Sequence, residues 1–173
     1  MGKDKLLLDY QGKSILQNTV DLISLLPVFQ RLVVTTAARA ETLALPSGVS
    51  EHINPRAELG ISSSIQVGLK AATGTHFLFL NADQPKLTVI DIIPILEAVK
   101  ENPDKIIYPI INSKPNSPTI FPESFRAELL TLSGDDGGRF VRDRHPEYCL
   151  TVSPENPGNF DDIDKEEEYN ELI

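Results

Sequence analysis

Apolar positions along this chain alternate between a helical rhythm and short unbroken runs, and the alternation predicts an α/β domain. Ile15, Leu16, Val20, Ile23 and Leu26 share one face of a helix over residues 13–25, which Pro27 stops. Arg31-Leu32-Val33-Val34-Thr35-Thr36 is rich in β-branched residues and predicts a strand. An Ala-rich stretch, 37–45, predicts a short helix, and residues 50–53 a weak strand. Gly60 opens a helix that buries Ile61, Ile65, Leu69 and Ala72 and ends at Gly74. His76-Phe77-Leu78-Phe79-Leu80 is an apolar run with the length of a buried strand.

The second half keeps the rhythm less evenly. Thr88 is placed to cap a helix built on Ile92, Ile93, Ile95, Leu96 and Val99. Pro94 inside that run implies a later start or a bend. A strand follows at 105–109. Residues 111–122, with Pro115, Pro118 and Pro122, predict a loop leading into a short strand at 118–121. A helix over 123–132, a Gly-rich turn, a helix from about Arg139 and a strand near 148–152 complete the pattern. Strands apolar throughout, alternating with helices, predict a mostly parallel sheet covered on both faces. At the front, residues 6–8 are either a small strand or the anchor of a loop, followed by a turn at Tyr10-Gln11-Gly12. No long central strand is visible there, although a doubly wound sheet is normally entered on one.

Length and composition narrow the class. With 173 residues, 40% hydrophobic and 24% charged, the chain fits one folded domain with its own core, spanning 1–173. No stretch is long and apolar enough for a membrane span, and no secretory leader pattern is present, so a cytoplasmic location is expected. A net charge of -9 disfavours nucleic acid as a partner but leaves small phosphorylated substrates open. Residues 161–171 hold seven acids and one lysine, which predicts a solvated helix. The single cysteine, Cys149, rules out an intrachain disulfide and is expected to be a buried spectator thiol. His52, His76 and His145 lack ligand-like spacing for zinc, and no GxSxG elbow is present.

Three segments carry candidate chemistry. Leu80-Asn81-Ala82-Asp83-Gln84-Pro85 places a carboxylate directly after a strand, in a turn that Pro85 stiffens. Ligands of open α/β sheets gather beyond the carboxyl ends of strands, so Asp83 is positioned to face one. A plain turn aspartate accepting backbone hydrogen bonds is the competing reading. Gly60-Ile61-Ser62-Ser63-Ser64 sets serines at a helix start, where free amides and the helix dipole favour a phosphate. An ordinary capped helix explains it nearly as well. Gly134-Asp135-Asp136-Gly137-Gly138 allows close approach of backbone to a ligand, and by itself is more often just a turn.

Taken together, these segments resemble the molybdenum-cofactor nucleotidyltransferases of the MobA-like group, most closely their cytidylyl-transferring branch. Met1-Gly2-Lys3-Asp4-Lys5-Leu6-Leu7 resembles the tail of an LAAGxSxRMGxxK signature, with Lys5 on its phosphate-contacting lysine. Leu59-Gly60-Ile61-Ser62-Ser63-Ser64-Ile65 resembles the GMSSSL element, and Asn81-Ala82-Asp83-Gln84-Pro85 the LADQP element, whose Asp holds magnesium. Asn116-Ser117-Pro118 falls on a GHP-type segment beside the pterin, Gly134-Asp135-Asp136-Gly137-Gly138-Arg139 on GDxGAR, and Asp162-Ile163-Asp164-Lys165-Glu166-Glu167 on DIDTPED. The LAAGxSxR half and the strand before it are absent, and Asn116-Ser117 replaces Gly-His.

The resemblance implies a three-layer, mostly parallel α/β sheet of Rossmann-like topology, the nucleotide-diphospho-sugar transferase fold, lacking its first strand. It implies transfer of a nucleotidyl group, CMP from CTP favoured, to molybdopterin with release of pyrophosphate. It assigns Mg²⁺ to Asp83 with Asp162 or Asp164, and phosphate contact to Lys5. It further implies ligand contacts for Gly2, Gly60, Ser62, Ser63, Ser64, Gln84, Asn116, Gly134 and Asp135, and contact with a molybdoenzyme or maturation factor as a further partner. Guanylyl transfer, transfer to a sugar phosphate, and a remnant that binds nucleotide or pterin without turnover are the alternatives.

Overall fold

The structure, a computed structural model, describes residues 4–163 and 166–172. After a 3₁₀ turn at Lys5–Leu7, a hairpin of β1 (Asp9–Tyr10) and β2 (Lys13–Ser14) leads into α1 (Ile15–Leu25). Residues 6–8 are thus the loop anchor and not a strand, and the helix begins two residues later than its pattern predicts, because Ser14 Oγ caps it by accepting from Gln17 N at 3.1 Å. Then come β3 (Arg31–Thr35), α2 (Ala37–Ala40), β4 (Val49–Ile53), α3 (Ile61–Ala71) and β5 (His76–Phe79). α2 is a single turn; the predicted helix to residue 45 stops after it. α4 (Val89–Glu101) starts directly after Thr88 and runs through an exposed Pro94. β6 (Ile106–Ile111), β7 (Lys114–Pro115), β8 (Thr119–Pro122), α5 (Arg126–Leu129), α6 (Gly138–Arg144), β9 (Cys149–Val152) and α7 (Glu166–Leu172) follow. The predicted helix over 123–132 divides into a 3₁₀ turn at Glu123–Phe125 and the short α5.

β5, β8, β6 and β9 form one sheet in that order, with β8 antiparallel to both neighbours and β6 parallel to β9. β5, β6 and β9 therefore share a direction, and β8 is the exception. Side chains alternate across this sheet with the period of two that strands impose. Phe77, Ile106, Tyr108 and Phe121 face Ile65 and Leu69 of α3, Leu129 of α5 and Val141 of α6. Leu78, Ile107, Ile111 and Ile120 face Ile95 of α4, Leu22 of α1 and the fully buried Phe160. The result is helix, sheet, helix: a three-layer Rossmann-like α/β fold.

β3 and β4 pair in parallel as a separate two-stranded unit. Among the described residues β3 pairs with β4 alone and β5 with β8 alone. Between β3 and β5 lies a cavity of about 760 Å³. Its walls are the facing edges of those strands, residues 31–34 and 76–80. Leu16 and Val20 of α1 and Leu96 of α4 close one side, Ile65 and Leu69 of α3 and its capping residue Ala72 the other. A slot bounded by two strand edges and covered by helices above and below has the shape of a vacant interior strand position.

Several apolar residues are less buried than their pattern predicts, and the slot accounts for most. Ile93, Leu96 and Val99 of α4 line it and are only half-buried, as are Leu78 and Leu80. Phe29 at its rim is 91% exposed. Ile61, expected inside, is 46% exposed, because the first turn of α3 turns that side outward. Cys149 is half-buried and donates weakly to the carbonyls of Arg142 and His145; burial pushes its thiol pKa up, which fits a spectator. Among the described residues no helix is long and apolar enough to cross a membrane.

Candidate active site

Asp83 stands in the turn after β5, and its carboxylate is divided in use. Oδ2 accepts from Lys5 Nζ at 2.9 Å, joining the front of the chain to this loop. Oδ1 is buried and has no hydrogen-bond partner among the described residues. A buried carboxylate oxygen without a donor is costly unless something cationic or hydrogen-bonding meets it. The backbone of this turn is held from two sides: the Asp83 carbonyl accepts from Ile163 N at 2.9 Å, and the Ala82 carbonyl accepts from Thr19 Oγ1 of α1 at 3.3 Å. The Ile163 bond sets Asp162, whose side chain is exposed, one residue from the Asp83 backbone. Lys5, Asp83 and Asp162, far apart in sequence, thus come from segments joined at one place. Gly2 and Asp164 lie outside the described residues.

Gln84 does not point outward to a ligand. It is 2% exposed, and its amide donates to Asn116 Oδ1 and to the Phe160 carbonyl, each at 2.8 Å. Asn116 Oδ1 also accepts from Ser117 N at 2.7 Å, so this side chain is engaged within the protein as well. The expected ligand-orienting role of Gln84 is corrected to an internal tie, because the turn at Pro85 directs the side chain beneath the loop while Asp83 stays at its surface.

The serine run forms a second cluster. Ser62 and Ser63 are buried and Ser64 half-buried, so the hydroxyls expected at the helix surface are turned in. Asn54, itself buried at the end of β4, donates to Ser63 Oγ at 2.8 Å and Ser64 Oγ at 3.0 Å. Gly60 has φ +94°, and a Cβ there would stand 2.3 Å from the Gly134 carbonyl oxygen and 2.6 Å from Asp135 Oδ1. Only glycine satisfies both demands. The Gly134 carbonyl accepts from Ser62 N at 3.2 Å, so the Gly-rich turn and the start of α3 are docked on one another.

Two partners escaped the sequence reading. Arg39 follows β3 and makes a two-pronged ion pair with Asp4, at 2.6 and 3.1 Å. That guanidinium holds the Asp4 carboxyl below the usual carboxylate range. Asn54 was the other; its position just after a strand end was the available signal. Among the described residues no group of three or more His, Cys, Asp or Glu side chains converges as a ready-made metal cage. A cation here would rest on Asp83, with a second carboxylate from Asp162 and remaining positions filled by ligand oxygens or water. The unpartnered Asp83 Oδ1 fits that use.

Comparison with known proteins agrees with the fold. The fold is shared with Rv0371c from Mycobacterium tuberculosis H37Rv, of which one structure is a complex with manganese and another names no ligand. The structure without a named ligand is 23% identical, with TM-score 0.76, covering 100% of this chain and 90% of that one. A nucleotidyl transferase from Methanothermobacter thermautotroptrophicus is 19% identical with TM-score 0.75, covering 97% and 82%. A CMP:2-keto-3-deoxy-manno-octonic acid synthetase complexed with CTP is 11% identical with TM-score 0.70, covering 97% and 89%. No curated protein matches the sequence. The model of the MobA-like NTP transferase domain matches residues 1–148. The chain belongs to the MobA-like NTP transferase family, whose chemistry as a class is nucleotidyl transfer.

Proposed function

We propose that the protein transfers a nucleotidyl group, CMP from CTP favoured, to the terminal phosphate of molybdopterin, with Mg²⁺ as cofactor. The observation that carries the reading is Asp83: one oxygen on Lys5 and the other buried without a partner, at the carboxyl end of a strand. In the reaction an acceptor phosphate oxygen forms a bond to the α-phosphorus of the triphosphate, and the bond to the β-phosphate oxygen breaks. Lys5 meets negative charge that shifts onto the departing pyrophosphate. Asp83 and Asp162 would hold a hard divalent cation, which would supply charge neutralisation at phosphate oxygens. Lys5 then exchanges Asp83 for phosphate. Gly134, Asp135 and the start of α3 bind the rest of the ligand, and an anion there must displace the Gly134 carbonyl from the Ser62 amide. Support for the metal and the base comes from neighbours in fold: one mycobacterial structure is a manganese complex, and one synthetase is complexed with CTP.

Pyrophosphate release with molybdopterin and Mg²⁺ tests the proposal. Asp83→Ala is expected to lower it by about 100-fold or more, with CTP preferred over GTP at equal concentration. Near-normal turnover of Asp83→Ala sinks the metal assignment, and GTP preference moves the chain to the guanylyl branch. A second reading, nucleotide or pterin binding without turnover, is favoured by the slot, because β5, which leads into the Asp83 loop, pairs among the described residues with β8 alone. CTP binding with no pyrophosphate release would select it.

A further inference from the structure

Among the described residues, the best-buried polar side chain sits beside Asp83. Gln84 is 2% exposed, and its two amide hydrogens are used by two different loops. One goes to Asn116, on the segment entering β8; the other to the Phe160 carbonyl, in the 3₁₀ turn Pro157–Phe160. Residues 157–163 are fastened to the loop and helix after β5 at several points, one of them the Lys86–Asp161 ion pair at 3.7 Å. Asn159 Nδ2 donates to both Asp91 oxygens, at 3.2 and 3.0 Å, Gln84 holds Phe160, and Ile163 N reaches the Asp83 carbonyl. Among the described residues, the fastening at Phe160 is the one supplied by the side chain adjacent to Asp83. Its acceptor oxygen, Oε1, is buried and unpartnered, a desolvation cost that packing alone does not require.

We infer that Gln84 is a positioning residue: it fixes the spacing of Asp83 and Asp162 by tying their two segments together, and so sets the affinity of the site for a divalent cation. The inference rests on the cation reading of Asp83. An apolar residue of the same length would fill the volume but remove the side-chain tie beside Asp83, leaving the spacing of the two carboxylates to the remaining fastenings. Loss of a supporting hydrogen bond behind a metal ligand typically weakens metal binding about 10- to 100-fold.

Mn²⁺ titration of the full chain, followed by the electron paramagnetic resonance of free Mn²⁺, tests this with wild type, Asp83→Ala and Gln84→Met. Wild type is expected to bind, Asp83→Ala to lose binding, and Gln84→Met to bind about 10-fold or more weakly while still melting cooperatively. Hydrogen exchange of the Ile163 amide is expected to quicken in Gln84→Met while β6 amides stay unchanged, a local signature that a packing role alone would not give. Wild-type Mn²⁺ affinity in a folded Gln84→Met overturns the inference and leaves the cation reading standing. Equal binding by wild type and Asp83→Ala removes both. Should Gln84→Met fail to fold, Asn116→Ala takes its place, deleting one anchor from a half-buried loop; weaker Mn²⁺ binding supports the inference and unchanged binding overturns it.

Discussion

The sheet β5–β8–β6–β9 and the pair β3–β4 are made of similarly apolar strands, yet one is closed and the other borders an open slot. In the closed sheet, β6 and β8 each have partners on both edges, and Ile106, Ile107, Ile120 and Phe121 are at most 1% exposed. Across the slot, Leu32, Val34, Leu78 and Leu80 have the same chemistry and remain half-buried. Residue type is therefore not what separates the regions; neighbours are. A strand is buried by what lies beside it as much as by the helices over its faces. The candidate site follows the same division. Its Asp83 loop is tied down on the β8 side by Gln84, Asn116 and Phe160, and borders the slot on the other.

Substitutions sharpen the contrast. Phe121→Ala, in the closed sheet, is expected to cost about 3–5 kcal/mol in urea melts, as large-to-small changes at fully buried aromatic positions do. Gly60→Ala should come next, losing about 1–3 kcal/mol through its positive φ and the clash with Gly134, with nucleotide binding impaired as the two loops part. Leu96→Ala, which lines the slot, is expected near 1 kcal/mol, because its side chain is already poorly packed. A Leu96→Ala cost as large as that of Phe121→Ala would erase the contrast. Smallest is Arg39→Ala, worth under about 1 kcal/mol as a surface pair. Its effect has a definite pH sign. Asp4 has a lowered folded pKa, so its contribution is present above about pH 4 and fades as pH falls through the folded value. Wild type and Arg39→Ala should therefore differ at neutral pH and converge in acid, which paired melts at the two pH values would show.

Much of this was legible in the sequence because local periodicity reports local burial. The strands at 31–35, 76–79 and 149–152 and the helices around Leu16, Leu69 and Ile95 were visible from spacing alone. Asp83 stood out because a carboxylate after an apolar run and before a proline has few structural uses. The antiparallel sense of β8 was hidden, since direction depends on how distant strands pair. Gln84 was misjudged for a related reason: a polar residue beside a site gives no sign of whether it faces ligand or interior. Asn54 and Arg39 were missed because their partners, Ser63, Ser64 and Asp4, are brought to them only by the fold. The width and lining of the slot were hidden as well, because they depend on where the distant strands β3 and β5 come to lie.

The central claim is that the slot between β3 and β5 is an interior strand position that weakens both the fold and the site. A matched pair of chains tests it most directly: this one, and one lengthened at its N-terminus by an apolar strand of about five residues. Each is followed by urea melts, CTP binding and amide exchange. The lengthened chain is expected to melt at higher urea by several kcal/mol of added apolar burial, about 1.5–3 kcal/mol for each large side chain covered. It should also bind CTP more tightly and slow the slot-facing amides of β3 and β5 towards those of β6. Equal stability, equal CTP affinity and unchanged amide exchange in the two chains would contradict the account.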